Sequence, residues 1–216
     1  MVDIFSPPPK GTELAPLWFN FKKNRAIYRI VNKKSEFFKF SFDFRTAGPL
    51  SRFDHHIKSS KTRGVIYGAT NIECCLFECF SGTGIIKLKG FYFAELIALK
   101  DLKFLDLRYQ SHNNGLSGAV FCGAPPSITS IPDKIITQNW ARYFYDTFEE
   151  IDGLIWNSAN CGLDTIVLNE RSAKKISLRE EKSFLNDNSL IQILSFIKKY
   201  PAYQFSISPD EPFKLK

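Results

Sequence analysis

The order of apolar and polar residues along the chain predicts strands and helices that are mixed without a regular alternation. Apolar runs typical of buried strands lie near residues 26–31, 64–69, 85–93, 103–107, 153–157 and 164–168. Two amphipathic helices are also predicted, one beginning at Thr137 with Trp140, Phe144 and Phe148 at four-residue spacing, and one covering about residues 189–200. No shift in composition indicates a linker, so we predict that residues 1–216 form one α+β domain, a mixed sheet with flanking helices.

A further helix should follow the predicted strand at residues 64–69. Thr70 and Glu73 have the spacing of a capping box, in which two side chains satisfy free amide groups at a helix start, so we predict a beginning near Asn71. At about 100° per residue, Glu78 shares its face of this helix with small residues such as Cys74. A carboxylate in such surroundings could line a narrow cleft that holds a ligand. The alternative is a solvated glutamate on an ordinary amphipathic helix.

Three other polar side chains stand out by their positions. Arg29 is predicted to project from its strand on the same side as Ile27 and Val31, where a guanidinium group needs an anionic partner. Arg52 lies in a loop rich in polar residues. Ser158 follows the apolar run at residues 153–157 and so places a hydroxyl group at the end of a strand, where closing the turn would be a sufficient role for it.

Taken in order, these segments resemble the RES-domain family, which is named for its arginine, glutamate and serine. The resemblance rests on Arg29, on Ser51-Arg52-Phe53, on Tyr67 eleven positions before Glu78, and on Gly153-Leu154-Ile155-Trp156-Asn157-Ser158. It covers about residues 24–170, and the ordered set is more specific than any of its short motifs. The chain departs from the family at Ser51, where members often have glycine, and at Trp156-Asn157 before the serine.

The resemblance implies a fold similar to that of ADP-ribosyltransferases and an enzyme that destroys NAD by cleaving its nicotinamide–ribose bond. Phosphate or water would be the acceptor, which makes the enzyme an NAD phosphorylase or an NAD glycohydrolase. Members are typically toxins of bacterial toxin–antitoxin pairs, so the implied partner is a small helix-turn-helix antitoxin of the Xre type. NAD would be consumed as a substrate, with inorganic phosphate as co-substrate in the phosphorylase. Neither a cofactor nor a metal is implied.

The same resemblance assigns roles to six residues: Glu78, Arg29, Arg52, Tyr67, Ser158 and Asn157. The Glu78 carboxylate would stabilise the positive charge that develops on the ribose. Arg29 and Arg52 would bind phosphate oxygens through the guanidinium fork. Tyr67 would stack on or flank the nicotinamide ribose. Ser158, with Asn157 beside it, would contact a phosphate or hold the incoming nucleophile.

Two other functions remain open at this point. The chain could be a mono-ADP-ribosyltransferase that attaches ADP-ribose to a protein target. It could also be a non-enzymatic basic binding module in which Glu78 and Arg29 form a structural ion pair. The formal net charge of +7 favours acidic partners in every case, among them a dinucleotide, a nucleic acid and an acidic protein. A homo-oligomer is compatible with the sequence.

Other features of the sequence mainly exclude classes of function. Five cysteines without a Cys-x-x-Cys pair predict neither a disulfide framework nor a zinc site. Neither a signal peptide nor an apolar run of roughly 18 residues is visible, so we expect a soluble protein in a reducing cytoplasm, without a membrane partner. His55 and His56 lack a third ligand at a useful spacing, so no metal site is expected.

Two further segments carry a prediction about local structure. Residues 38–45 alternate phenylalanine with polar residues, which favours a strand with one buried face over a base-stacking platform. Direct binding of nucleic acid is therefore not expected. Residues 115–130, with Pro125 and Pro126, are predicted to form a mobile loop.

Overall fold

An eight-stranded mixed sheet forms the centre of the computed structural model, which describes residues 6–58, 61–109, 115–208 and 211–213. The strands in chain order are β1 (Trp18–Phe21), β2 (Ala26–Asn32), β3 (Val65–Ala69), β4 (Ile85–Lys87), β5 (Phe91–Ala98), β6 (Leu102–Asp106), β7 (Gly153–Asn157), β8 (Asp164–Asn169), β9 (Ile176–Ser183), β10 (Gln204–Ser208) and β11 (Glu211–Phe213). The helices are α1 (Ile72–Phe80), α2 (Gly118–Phe121), α3 (Lys134–Thr147) and α4 (Asp187–Lys199), and short 3₁₀ helices cover Pro126–Thr129 and Glu170–Lys175.

The large sheet has the strand order β1-β6-β7-β8-β3-β2-β5-β9, and β4, β10 and β11 form a small second sheet. Strands β6 and β7 are parallel, whereas the other neighbours in the large sheet are antiparallel. The predicted α+β class with a mixed sheet is therefore confirmed. None of the helices within the described ranges is long and apolar enough to cross a membrane.

The sheet separates between its two central strands. Strands β2 and β3 share a single register pair, Tyr28↔Ala69, although β3 pairs with β8 along its whole length and β2 does the same with β5. Arg29 and Gly68 are the residues directly beyond that pair. Regular pairing between the two strands therefore stops at this point, with Gly68 still packed closely against Tyr28, and the strands separate beyond it, between Arg29 and Tyr67.

Both faces of the sheet are buried near its centre, which explains why the strands are continuous apolar runs. On one face Leu154 belongs to a cluster with Trp140 and Phe144 of α3, and on the other Ile155 belongs to a cluster with Phe104. Side chains alternate along a strand, so adjacent residues of β7 reach opposite clusters. A third cluster packs α1 and α4 against β5. The predicted core positions on α3 are confirmed.

The predicted helix boundaries require correction at their starts. Asn71, not Thr70, caps α1, because the Asn71 Oδ1 accepts a hydrogen bond of 2.7 Å from the Cys74 amide. Glu73 instead contacts Lys199 on α4, so no capping box forms. Helix α3 begins one turn before the predicted start, with Asp133 as its cap. The C-terminal helix lies within two residues of its predicted bounds.

Several segments differ more strongly from the prediction. Residues 85–93 are two strands rather than one, separated by a turn in which Gly90 has φ +88°. Residues 38–45 form no strand, and Phe40 is 50% exposed. Residues 115–130 contain α2 and a 3₁₀ helix with buried side chains such as Ile128 and Ala119, so this segment is packed and the predicted loop was wrong. Strands β1, β9, β10 and β11 were not predicted.

Candidate active site

A cavity of about 490 Å³ lies where β2 and β3 separate. This volume is within the range typical of small-molecule sites. Most of its lining residues come from β2, β3, α1, the loop before β3 and the turn after β7, and single residues come from β5, β7, β8 and the 3₁₀ helix at Pro126–Thr129. The lining includes Arg29, Arg52, Tyr67, Glu78, Trp156 and Asn160. Four of the six residues predicted from the sequence therefore meet at one cavity.

Arg29 is a buried cation at the wall of this cavity. It lies on the same side of β2 as Ile27 and Val31, as predicted, and only 8% of the residue is exposed. Its Nε and Nη1 atoms are buried and have no hydrogen-bond partner among the described residues. Burial lowers the pKa of Arg29 to about 10, so the guanidinium remains charged at neutral pH. A buried, unpaired charge is costly, and an anion bound in the cavity would remove that cost.

Glu78 is held in place by the turn that follows β7. The Ser158 hydroxyl donates a hydrogen bond to Oε1 of Glu78, and Nδ2 of Asn160 donates to the same oxygen at 3.2 Å. The Asn160 amide donates in turn to the Ser158 hydroxyl at 3.1 Å. No described residue donates to Oε2 of Glu78. The carboxylate is therefore oriented through one oxygen, while the other can face a ligand.

Tyr67 and the loop before β3 form a connected network. The Tyr67 hydroxyl donates to Oδ1 of Asp54 at 3.0 Å and accepts from the Phe53 amide at 2.9 Å. Asp54 is fully buried, and Arg45 donates to both of its oxygens at 2.8 Å. Burial raises the pKa of Tyr67 well above its ordinary value, so the phenol stays protonated. The network fixes the loop that carries Arg52, and it leaves the Tyr67 ring at the cavity wall.

Arg52 reaches the cavity from this loop. Its Nη1 donates to the carbonyl oxygen of Thr129, in the 3₁₀ helix at Pro126–Thr129. Unlike Arg29, it therefore already has a partner, although a neutral one. The two arginines flank the same space from different elements.

Two of the predicted positions need correction. Asn157 is not one of the described residues that line the cavity. Its side chain is used elsewhere, because Oδ1 accepts from the Tyr109 amide at 3.0 Å and Nδ2 points to Gly162 and Asp164. Ser158 is buried behind Glu78, and its hydroxyl is directed to that carboxylate rather than to a phosphate. The ion pair proposed between Glu78 and Arg29 does not form.

Sequence reasoning missed Asn160 and Asp54. Asn160 stands two residues after Ser158, in the polar turn after the strand, and this position was the only local signal for it. No local sequence pattern indicates the role of Asp54, because its partners Arg45 and Tyr67 lie 9 and 13 residues away in the chain. Trp156 lines the cavity next to Tyr67, with ring centroids 6.4 Å apart.

The two adjacent histidines belong to the scaffold. His55 stacks on Tyr145 at 4.2 Å and lies 3.1 Å from Oε2 of Glu170, whereas Nε2 of His56 lies 3.2 Å from the Ala47 carbonyl oxygen. In the part of the chain that the structure describes, no cluster of three histidine, cysteine, aspartate or glutamate residues could hold a metal ion.

Comparisons with known proteins concern the fold and the family of the chain. A chain of the crystal structure of the M. tuberculosis MbcT-MbcA toxin-antitoxin complex superposes with a TM-score of 0.51 at 14% identity, covering 81% of this chain and 91% of that one. At this identity the likeness concerns the fold alone. No curated protein matches the chain. A family model described as the RES domain matches residues 26–187, which is most of the sequence. The chain therefore belongs to the RES domain family.

Proposed function

We propose that this protein cleaves the nicotinamide–ribose bond of NAD. One observation carries the proposal: the buried, unpaired guanidinium of Arg29 and the oriented carboxylate of Glu78 border the same cavity. The first group suits an anionic substrate, and the second suits a reaction in which positive charge develops. A dinucleotide with a pyrophosphate and a cationic nicotinamide ring meets both requirements.

Arg29 would bind the pyrophosphate of NAD. Its Nε and Nη1 atoms lack acceptors among the described residues. A planar guanidinium group can donate to two oxygens of one phosphate group. Arg52, at another part of the cavity wall, would contact a second phosphate oxygen. Two arginines on separate elements would fix the dinucleotide and so limit where its nicotinamide ribose can lie.

Glu78 would act on the bond that breaks. When the bond between nicotinamide nitrogen and the anomeric carbon breaks, its electron pair goes to the pyridinium nitrogen, and nicotinamide leaves as a neutral molecule. The ribose is left with oxocarbenium character, which a nearby carboxylate stabilises. The acceptor oxygen, from phosphate or water, then bonds to the anomeric carbon, and in the case of water one proton is released to the solvent. Ser158 and Asn160 would act as positioning residues, because both hold the carboxylate at Oε1.

Tyr67 would form a wall for the ribose. Its ring borders the cavity, and its hydroxyl is already engaged with Asp54 and Phe53. The phenol is thus a rigid surface in this proposal and not a proton donor. The loop that carries Arg52 is stabilised by the same Asp54, so the wall and the second arginine are positioned together.

Incubation of the purified protein with NAD, in the presence and absence of inorganic phosphate, tests the proposal. We expect nicotinamide to be released, and chromatography measures its amount. The second product identifies the acceptor: phosphorylated ADP-ribose for phosphate, free ADP-ribose for water, and modified protein for a transferase. If the folded protein releases no nicotinamide, either with or without phosphate, the proposal is overturned.

The proposal extends to a toxin of a toxin–antitoxin pair. Membership in the RES domain family and the fold likeness to a chain of a toxin–antitoxin complex support it. An enzyme that consumes a shared cofactor must be inhibited in the cell that makes it, and the net charge of +7 favours an acidic inhibitory segment. We expect a helix-turn-helix antitoxin that blocks the cavity. Expression of the chain alone in bacteria should arrest growth while the NAD concentration falls, and normal growth with normal NAD would contradict the toxin role.

A further inference from the structure

Two cysteines lie in contact behind the candidate carboxylate. The Sγ atom of Cys161 is 3.7 Å from the Sγ atom of Cys74. Cys74 belongs to the first turn of α1, one turn before Glu78, and Cys161 directly follows Asn160 in the turn after β7. The two thiols thus join the helix that carries the carboxylate to the turn that orients it.

The local structure allows these sulfur atoms to approach. A disulfide requires an S–S distance of about 2.05 Å, so the sulfurs must move closer by less than 2 Å. Cys161 lies in an irregular turn, residues 158–163, in which Gly162 has φ +73° and no neighbouring atom within 4 Å of an added Cβ. Cys74 is fixed in a helix. Hydrogen bonds from the Ser158 amide to the Leu163 carbonyl oxygen, at 2.7 Å, and from the Gly162 amide to the Ser158 carbonyl oxygen, at 2.8 Å, are internal to the turn, so the approach of the sulfurs moves the turn as a unit.

The two thiols differ in their access to an oxidant. Cys161 is partly exposed, whereas Cys74 is fully buried. Burial raises the pKa of Cys74 to about 12, and its Sγ lies 3.4 Å from the Thr165 hydroxyl. Of these two thiols, Cys161 should consequently react with a peroxide first, and Cys74 is the thiol that completes the bond.

We propose that Cys74 and Cys161 form a reversible disulfide when the protein meets a peroxide. In the first step the Cys161 sulfur attacks the peroxide O–O bond, giving a sulfenic acid and, from hydrogen peroxide, one water molecule. In the second step the Cys74 sulfur attacks the Cys161 sulfur, the S–S bond forms, and the hydroxyl group leaves with the thiol proton as a second water molecule. Thiol reductants reverse the bond by exchange.

The disulfide has a consequence for the site, and this part rests on the proposed function. Movement of Cys161 toward α1 shifts its neighbour Asn160, whose side chain donates to Glu78 and whose amide donates to Ser158. Oxidation should thus disturb the orientation of the Glu78 carboxylate. We expect turnover of NAD to fall at least fivefold in the oxidised protein and to recover after reduction.

Mass spectrometry of the full chain tests the modification without reference to NAD. After hydrogen peroxide treatment, the number of thiols that can be alkylated under denaturing conditions should fall from five to three, and peptide mapping should show a Cys74–Cys161 link. Cys122 is fully buried and serves as an internal control that stays reduced. Irreversible oxidation of Cys161 without a link, or a link between other cysteines, would overturn the proposal.

The Cys161→Ser variant separates the modification from the activity. The turnover of NAD by this variant should be insensitive to peroxide. The chain without the substitution should lose turnover after peroxide treatment and recover it with dithiothreitol. A verified Cys74–Cys161 link that leaves turnover unchanged would overturn the effect on the site. A reduced protein that never cleaves NAD would overturn the proposed function, and the peptide map would still decide whether the disulfide forms.

Discussion

The Ser158 hydroxyl donates a hydrogen bond to Oε1 of Glu78, although the two residues are 80 positions apart in the chain. Ser158 thus orients the Glu78 carboxylate, and Glu78 and Arg29 line the same cavity from α1 and β2. This relationship makes the serine a positioning residue in the proposed mechanism. Substitutions at these positions can therefore distinguish a catalytic role from a structural one.

Glu78→Gln should lower the rate of NAD cleavage at least ~100-fold, the usual scale for loss of one preorganised electrostatic group. The amide keeps the size and the contact with Ser158 but carries no charge. Glu73→Gln is the matched control, because Glu73 lies on the same helix and pairs with Lys199 outside the cavity. Turnover is measured as nicotinamide release. Equal activity of the two variants would exclude the role of Glu78.

Ser158→Ala and Asn160→Ala should each lower kcat about tenfold, since a hydrogen bond to a charged group contributes about 1.5 kcal/mol. KM should change little, because neither residue is proposed to hold the phosphates. Neither substitution should reduce activity further in the Glu78→Gln background, because both act through that carboxylate. Additive losses in the double variants would instead indicate an independent contact with the substrate.

Arg29→Lys and Arg52→Lys should each weaken NAD binding roughly tenfold, because an ammonium group keeps the charge but cannot reproduce the two-donor fork. Binding is measured by calorimetry in the Glu78→Gln background, where substrate is not consumed. Arg25→Lys is the control, since the Arg25 guanidinium lies over the Phe21 ring, 4.5 Å from its centroid, and does not line the cavity. Unchanged affinity in both test variants would assign the two arginines a structural role.

Arg29→Met should stabilise the protein in the absence of ligand while it abolishes NAD binding. Replacing a buried, unpaired charge by an apolar side chain should raise the Tm by about 3 °C, which corresponds to roughly 1 kcal/mol for a chain of this size. Arg45→Met should instead lower the stability of the protein. Arg45 pairs with the fully buried Asp54, so its loss should cost about 3–5 kcal/mol. A lower Tm for Arg29→Met would show that this guanidinium has a stabilising partner.

Acidification should remove a stabilising contribution from Glu170. Burial raises the pKa of this carboxyl group, but hydrogen bonds from His55, Tyr145 and the Gly64 amide outweigh it and hold the pKa at about 2, below the ordinary 4.5. A lowered pKa in the folded state stabilises above pH 4.5, and this stabilisation, about 3 kcal/mol, is lost as the pH falls toward 2. The difference in unfolding free energy between the native chain and Glu170→Gln, from urea denaturation, should therefore shrink between pH 7 and pH 3. A constant difference would contradict the assignment.

Helix α1 and strand β2 show how far the sequence alone reaches. The start of α1 was predicted within one residue, and the side of β2 on which Arg29 projects was predicted correctly. Both depend on residues within four positions, since helix capping and strand alternation are local properties. The ordered motifs, from Arg29 to Ser158, identified the family for the same reason, because the order of residues is itself a property of the sequence.

Residues 38–45 show where a local pattern fails. The alternation of phenylalanine with polar residues has the period of a strand, but a strand also needs a neighbour to pair with. Within the described chain, the segment makes only one isolated bridge, Arg45↔Val65. Phe38 borders the cavity instead. The predicted strand with one buried face was wrong, because strand formation depends on a distant pairing partner that the local pattern does not contain.

The sequence by itself determined the α+β class, the family and four of the residues that meet at the cavity. Only the tertiary structure decided what those residues contact. Where β2 and β3 separate, Nε and Nη1 of Arg29 find no hydrogen-bond partner among the described residues. Ser158 and Asn160 reach Glu78 because the turn after β7 lies against α1, and Asn157 points away. These contacts join segments far apart in the chain, and their geometry depends on how the sheet and helices pack, which no local pattern contains.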